Sequence, residues 1–257
     1  MKRKRSQLMV LRDADIVERL KVLKMEHPFW GYRRLWAHLR YVDKLVINKK
    51  RVRRLVVENR LSVNANTRLR ATRTPQRSKP RPTRPNEWWG IDMTKVMTDS
   101  GWVYIVLVLD WYTKKVVGNY TGMQSKAEHW MLALDMGVQR QCPNGAREHG
   151  VGLMSDNGCQ PTSESFMKGC NLLGIQQAFT SYNNPKGNAD TERMMRTMKE
   201  ELLWLQEWRG VWDVAVAVKK WCESYNESYL HSALHYCSPN AFEKTFFQTH
   251  ETPLLTA

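Results

Sequence analysis

Residues 87–113 read EWWGIDMTKVMTDSGWVYIVLVLDWYT, and the parsing of this stretch decides the fold. Over 87–98 apolar and polar residues alternate, which is the period of a strand. Asp99, Ser100 and Gly101 supply turn chemistry. Residues 103–113 are then apolar and β-branched almost without interruption, which predicts a central strand buried on both faces. KKVVGNYTG, 114–122, reads as a shorter third strand. Tight turns join the three, so an antiparallel meander is expected.

Beyond the meander the apolar period changes from two to that of a helix. Ser125 to Gln141 reads as a helix, Val151 to Met154 as a short strand ending at Ser155-Asp156, and Thr162 to Leu173 as a helix. Ile175 to Thr180 follows as a strand, Ala189 to Trp208 as a long helix, and Val211 to Asn226 as another. Three antiparallel strands followed by alternating helix and strand give an α+β class, in the element order of an RNase-H-like fold. Order alone leaves other α+β domains open.

The whole chain has 257 residues, 42% of them hydrophobic, which excludes a wholly disordered protein. Its longest apolar run, Val103 to Leu109, is far short of the ~20 residues that cross a bilayer. The start, MKRKRSQLMVL, has charge but no long apolar stretch, so no membrane association and no secretion are expected. Five cysteines, at 142, 159, 170, 222 and 237, form no CxxC pair. Neither a disulfide framework nor a structural zinc site is expected, and a reduced cytoplasmic setting fits.

Charge divides the chain. The formal net charge is +15, yet residues 1–86 hold 25 Lys and Arg against 6 Asp and Glu, while 87–257 hold 15 against 19. The polyanion-binding signal therefore belongs to the amino-terminal part. Within residues 1–63 three helices are predicted: Asp13 to Glu26, with Ile16, Val17, Leu20, Val22 and Leu23 inward; YRRLWAHLR, with Leu35, Trp36 and Leu39; and KKRVRRLVVENRL, capped by Asn48, with Val52, Leu55 and Val56 inward. Three short helices, the last crowded with cations, suit a helix-turn-helix module that lays one helix along DNA. Arg33, Arg34, Lys49, Lys50, Arg51, Arg53 and Arg54 are its candidate DNA contacts. Residues 64–86 hold Pro75, Pro80, Pro82 and Pro85 among Arg and Lys and cannot pack a core. They read as an extended linker, in which Arg68, Arg70 and Arg73 could also follow a phosphate backbone.

Three acids stand where packing would not place them. Asp92 interrupts a strand between Ile91 and Met93, Asp156 falls at a strand end in MSDNG, and Glu192 opens the long helix off the stripe formed by Met194, Met198, Leu202 and Leu205. Taken singly, each also reads as an ordinary exposed acid, or for Glu192 as one favoured by the helix dipole.

Together with their surroundings these acids resemble the DDE transposases of bacterial insertion sequences, which share a catalytic core with retroviral integrases. HPFWGYRRLWAHLR and INKKRVRRLVVENRL resemble that family's helix-turn-helix, and WWGIDMT its first-aspartate strand. MSDNGCQPTS resembles the second-aspartate loop, NPKGNADTERMMRTMKEEL the glutamate helix, and YNESYLHSALHYCSPNAFE the closing signature. Between Asp156 and Glu192 lie 35 residues, the spacing for which the family's core is named. Met154 and Pro161 depart from the family, which often has His and Tyr at these places.

The resemblance implies an RNase-H-like, retroviral integrase-type catalytic core over 87–243, a tail at 244–257, and OrfB-type second-frame origin. It implies that Asp92, Asp156 and Glu192 are catalytic and hold two Mg²⁺ ions, with Mn²⁺ able to substitute, Asp92 being shared by both ions. Lys186, Arg196, Lys199 and His231 become candidate DNA contacts near the scissile bond. The implied partners are double-stranded DNA, both terminal inverted repeats and target, a second copy of the chain, and an upstream-frame partner or fusion. A non-catalytic DNA-binding regulator and an RNase-H-like nuclease are the alternatives that the residues leave open.

Overall fold

Strand β2 (Gly101–Asp110) is the centre of the sheet's antiparallel half, and its side chains show why it is apolar throughout. Val103, Ile105, Leu107 and Leu109 enter one core; Val106 and Val108 enter another on the opposite face. Its neighbours are β1 (Trp88–Thr98) and β3 (Val116–Gly122), both antiparallel to it. The β1–β2 turn closes at Gly101, whose φ of +108° only glycine adopts readily, and the Thr98 hydroxyl donates to the Gly101 carbonyl at 2.8 Å. Helix α4 (Ala127–Gln141) crosses over, the short α5 (Ala146–His149) follows, and β4 (Gly152–Ser155) then joins β1 in parallel. After α6 (Glu164–Leu173), β5 (Gln176–Phe179) pairs in parallel with β4. The order β3-β2-β1-β4-β5, with helices on both faces, is an RNase-H-like α+β fold.

This computed structural model describes residues 7–63, 80–180 and 187–250, in two compact units, 1–73 and 74–257. In the second unit one face of the sheet is covered by α4 and α6 through Trp130, Ala133, Leu134 and Phe166. Gly118 of β3 permits this approach, since a Cβ there would stand 2.0 Å from the Ala133 carbonyl oxygen. The other face is covered by α7 (Ala189–Met198) and α8 (Val211–Ser228) through Met194, Met195, Met198, Val214, Val218 and Cys222. A 3₁₀ turn, Ser232–Leu234, and helix α9 (Pro239–His250) complete this unit.

Two elements differ from the sequence reading. The long helix does not reach Trp208: α7 continues as a wider π-helical turn, Lys199–Leu203, and stops. The π turn advances the inward stripe by one residue, so Leu203 is buried and Leu205 is exposed. Helix α9 runs unbroken across residues 243 and 244, where a core was expected to give way to a tail.

Among the described residues the first unit has three helices: α1 (Gln7–Glu26), α2 (Tyr32–Ala37), which passes into a π-helical turn His38–Val42, and α3 (Lys49–Glu58). Leu20, Leu23, Leu35, Leu39, Ile47, Val52, Leu55 and Val56 form its core. Asn48 caps α3, its Oδ1 accepting from the Lys50 amide at 2.8 Å. Val22, expected inward, is exposed because it lies off the face that carries Leu20 and Leu23.

Candidate functional site

Asp92 sits in the middle of β1. Trp89, Ile91 and Met93 point toward α4 and α6, whereas Trp88 and Val96 point toward α7 and α8; the period of two puts Asp92 on the α7 side. It is half-buried, and its Oδ1 accepts from the Met93 amide at 2.8 Å. Its pKa is raised to about 6, chiefly by burial and in addition by the negative charges of Asp156 and Glu192, while the Met93 amide and Lys199 pull it down.

Asp156 follows the last residue of β4. The parallel register pairs Trp88 with Gly152 and Gly90 with Met154 and stops there, so Asp92 and Asp156 each lie two residues beyond the last pair. The loop after it is held by its own bonds. Gly158 N–H donates to Asp156 Oδ1 at 3.1 Å, Asn157 Nδ2 to the Thr180 carbonyl at 2.6 Å, and Thr162 Oγ1 to the Gly158 carbonyl at 2.7 Å. Glu192 lies in the first turn of α7 and is itself exposed. The three acids thus come from a strand centre, a strand end and a helix start. They are near enough to act electrostatically on Asp92, but among the described residues no three His, Cys, Asp or Glu side chains already form a metal cage.

The start of α7 is fastened to β1, and to Trp111 just after β2, by contacts that the sequence did not announce. Trp111 Nε1 donates to Thr191 Oγ1 at 3.0 Å, and Asn188 Nδ2 donates to the Ile91 carbonyl at 3.2 Å. Gly90 makes room for both: a Cβ there would stand 1.9 Å from Thr191 Oγ1. A tryptophan and a threonine 80 residues apart carry no local signal of such a bond. The glycine two residues before Asp92 was the one readable hint.

The remaining candidates fall into distinct settings. Lys199 is half-buried and acts on Asp92, while Arg196 pairs with Glu200 at 2.7 Å on the helix surface. His231 stands among Tyr225 and Tyr229, with ring centroids 5.3 and 4.8 Å away, and its backbone bridges to Cys237. Lys186, Arg68, Arg70 and Arg73 lie outside the described residues.

In the first unit Arg51 and Arg54 turn to Asp13, which is only 6% exposed, at 2.5 and 2.6 Å. Those two cations join α3 to α1. Lys50 and Arg53 are exposed on α3, Arg53 lying over the Tyr32 ring at 5.7 Å; Lys49 lies over Trp36 at 4.2 Å. Arg33 is exposed and Arg34 half-buried on α2.

Residues 82–185 and 173–239 match the integrase core domain, and residues 11–68 match an HTH-like domain. The chain is 31% identical over 163 residues to the transposase for insertion sequence element IS904 of Lactococcus lactis, covering 63% of each. The chain belongs to the insertion-sequence transposases of the DDE, integrase-core family. The transposase is also 28% identical over 247 residues to the insertion element IS600 31 kDa protein of Shigella sonnei, covering 90% of this chain and 89% of that one. Among solved structures, the simian T-cell lymphotropic virus intasome in complex with the B56 gamma regulatory subunit of PP2A aligns with a TM-score of 0.50 at 13% identity. That alignment covers 93% of this chain and 76% of that one, and it supports the fold. The transposase is accordingly a DDE-type polynucleotidyl transferase with a DNA-binding HTH-like domain. No helix among the described residues is long and apolar enough to cross a membrane.

Proposed function

We propose that this transposase nicks the 3′ ends of its insertion sequence and joins them to target DNA, using Asp92, Asp156 and Glu192 as the catalytic acids. The observation that carries this reading is that the β1–β4 pairing and the Asn188–Ile91 bond bring the end of β4 and the start of α7, which carry Asp156 and Glu192, to the part of β1 that holds Asp92. Their carboxylates are the hard oxygen donors that Mg²⁺ takes. The charge they concentrate on Asp92 is an excess that a divalent cation would relieve, so donor set and electrostatics both fit such ions. When bound, two divalent ions, Mg²⁺ or Mn²⁺, would activate the attacking oxygen and stabilise the departing one.

The chain's own residues do the rest. Asp92 anchors the site from within the sheet, where its position is fixed by its pairing with Leu107 of β2 and by the β4 pairing that ends two residues before it. Asp156 and Glu192, being exposed, meet the phosphodiester from the mouth of the site. The attacking group is water for nicking and a freed 3′-hydroxyl for strand transfer. Lys199 offsets negative charge beside Asp92 and would do the same for a scissile phosphate. In the HTH-like domain Lys50, Arg53 and Arg33 would meet the DNA backbone, while Arg51 and Arg54 hold α3 in place through Asp13. We place the protein at the element's terminal inverted repeats, working as a dimer or larger assembly and as an OrfB-type product that is fused to or partnered by an upstream frame.

The test is metal-dependent nicking of labelled duplex carrying the element's ends, with Asp156→Asn beside wild type. Cutting should require Mg²⁺ or Mn²⁺ and vanish in the variant while DNA binding is kept. Nicking that survives Asp156→Asn removes the assignment; binding without cutting under either metal favours a regulator.

A further inference from the structure

The first turn of α7 gives up stability that a helix start normally keeps. Asn188 is its N-cap residue, and asparagine there usually accepts a bond from the helix's own amides, a contribution of roughly 0.5–2 kcal/mol. Here the Asn188 side chain makes no capping bond. Its amide reaches across to the Ile91 carbonyl, beyond the last pairing of β1 with β4 at Gly90. The Asn188 Oδ1 is left buried without a hydrogen-bond partner, in a residue 3% exposed. Local sacrifices of this kind gather where a fold serves function.

The same turn is held from a second direction. Trp111 is buried, its backbone N–H donates to the Trp88 carbonyl at 3.0 Å, and its ring stacks on Trp88 at 6.2 Å. The indole N–H then meets the hydroxyl of Thr191, which is fully buried. Lys114 pairs with Asp190 at 3.2 Å, on the residue between Ala189 and Thr191. Ile91 precedes Asp92, and Thr191 precedes Glu192. One buried bond therefore ties the residue before Asp92 to the N-cap of the helix that carries Glu192, and a second ties the residue before Glu192 to Trp111, which is itself bonded to Trp88 of β1.

We propose that Trp111, Thr191 and Asn188 are positioning residues that set where Glu192 stands relative to Asp92, and thereby how tightly the acids take divalent ions. This rests on the reading of Asp92 and Glu192 as metal ligands. All three residues are buried, and they would act through the backbone of α7 and β1. Removal of outer partners of metal ligands typically weakens metal binding by roughly 10–100-fold.

The test uses the full chain and Mn²⁺ alone as probe. Free Mn²⁺ is titrated by electron paramagnetic resonance at a temperature where circular dichroism shows each variant folded, and nicking is followed against Mg²⁺ concentration. Thr191→Val keeps the shape and removes the hydroxyl; Thr191→Ser keeps the hydroxyl; Trp111→Phe removes the indole N–H. Half-saturation with Mn²⁺ should shift upward by roughly tenfold or more in Thr191→Val and Trp111→Phe. Thr191→Ser should stay within about twofold of wild type, and nicking by the two impaired variants should recover at high Mg²⁺. A Thr191→Val protein that melts earlier yet binds Mn²⁺ like wild type shows a purely structural bond and overturns the proposal. If Thr191→Val does not fold, Trp111→Phe is judged by the same criterion. Asp92→Asn separates the two levels: if it binds Mn²⁺ as wild type does, the metal reading fails and the positioning role falls with it. If Asp92→Asn loses binding while Thr191→Val does not, only the positioning role fails.

Discussion

Replacing Gly90 by alanine tests the close approach of α7 to β1. The new Cβ would lie 1.9 Å from Thr191 Oγ1, 2.4 Å from Trp111 Nε1 and 2.7 Å from Asn188 Oδ1, whereas ordinary contacts begin at 3.4 Å. All three atoms are buried and two are already hydrogen-bonded to each other, so the methyl group can enter only by displacing that bond. Overpacking of a filled core costs roughly 1–3 kcal/mol. A buried bond broken with a partner left unmatched adds roughly 1–3 kcal/mol. The sum, about 2–6 kcal/mol, corresponds to a fall in melting temperature of about 5–20 °C for a unit of this size. The assay is thermal unfolding followed by far-ultraviolet circular dichroism, with Gly118→Ala alongside. A Cβ at Gly118 would stand 2.0 Å from the Ala133 carbonyl oxygen on the opposite face of the sheet, so that variant should also melt early. Only Gly90→Ala, compared below both melting points, should also raise the Mg²⁺ needed for nicking. A Gly90→Ala protein that melts within a degree of wild type refutes the packing argument. Equal loss of cutting in the two variants refutes the link from this glycine to the site.

Other consequences can be measured independently. Asp110 is fully buried at the end of β2, and burial lifts its pKa to about 6, against donors at Thr113, Tyr112 and Asn86. The folded chain therefore keeps a proton that the unfolded chain releases near pH 4, and this contribution to stability is lost as pH rises toward 6, at a cost of about 3 kcal/mol by pH 7. In urea titrations Asp110→Asn should gain on wild type between pH 4.5 and 7; a pH-independent difference would contradict this. Asp13→Asn should cost the first unit about 2 kcal/mol, discounted because Arg51 and Arg54 keep some contact with water, and should weaken DNA binding without lowering the melting of the core. Lys50→Ala and Arg53→Ala should each reduce the slope of log affinity against log salt by about 0.9 in anisotropy titrations with duplex DNA. Deleting residues 1–86 should abolish most of that slope.

The sheet was legible because burial on both faces leaves no ambiguity in a run such as VYIVLVLDWYT, and the turn at Gly101 fixes the hairpin. Asp92, Asp156 and Glu192 were singled out by the motifs around them and by the 35-residue interval between the last two, since each acid alone also reads as an ordinary exposed one. The end of α7 was hidden, since a π turn adds one residue without changing composition, and Leu202 and Leu203 are chemically alike. The division of labour among the cations of α3 was hidden too. Arg51 and Arg54 differ from Lys50 and Arg53 only in facing Asp13, which is 38 and 41 residues away in the chain. The fastening at Asn188, Thr191 and Trp111 depends wholly on such distant pairings.

Strand β1 has one near neighbour in the chain and one far one. It meets β2 through a two-residue reversal, but β4 only after α4 and α5 have been traversed. Closing the short loop is entropically cheap and fast, and closing the long one is neither. During synthesis, Asp92 can thus be seated in its hairpin well before Asp156 arrives, and Glu192 emerges later still. A chain made only as far as α4 carries one acid of the three, so on the proposed reading the cutting site cannot assemble until α7 has been synthesised.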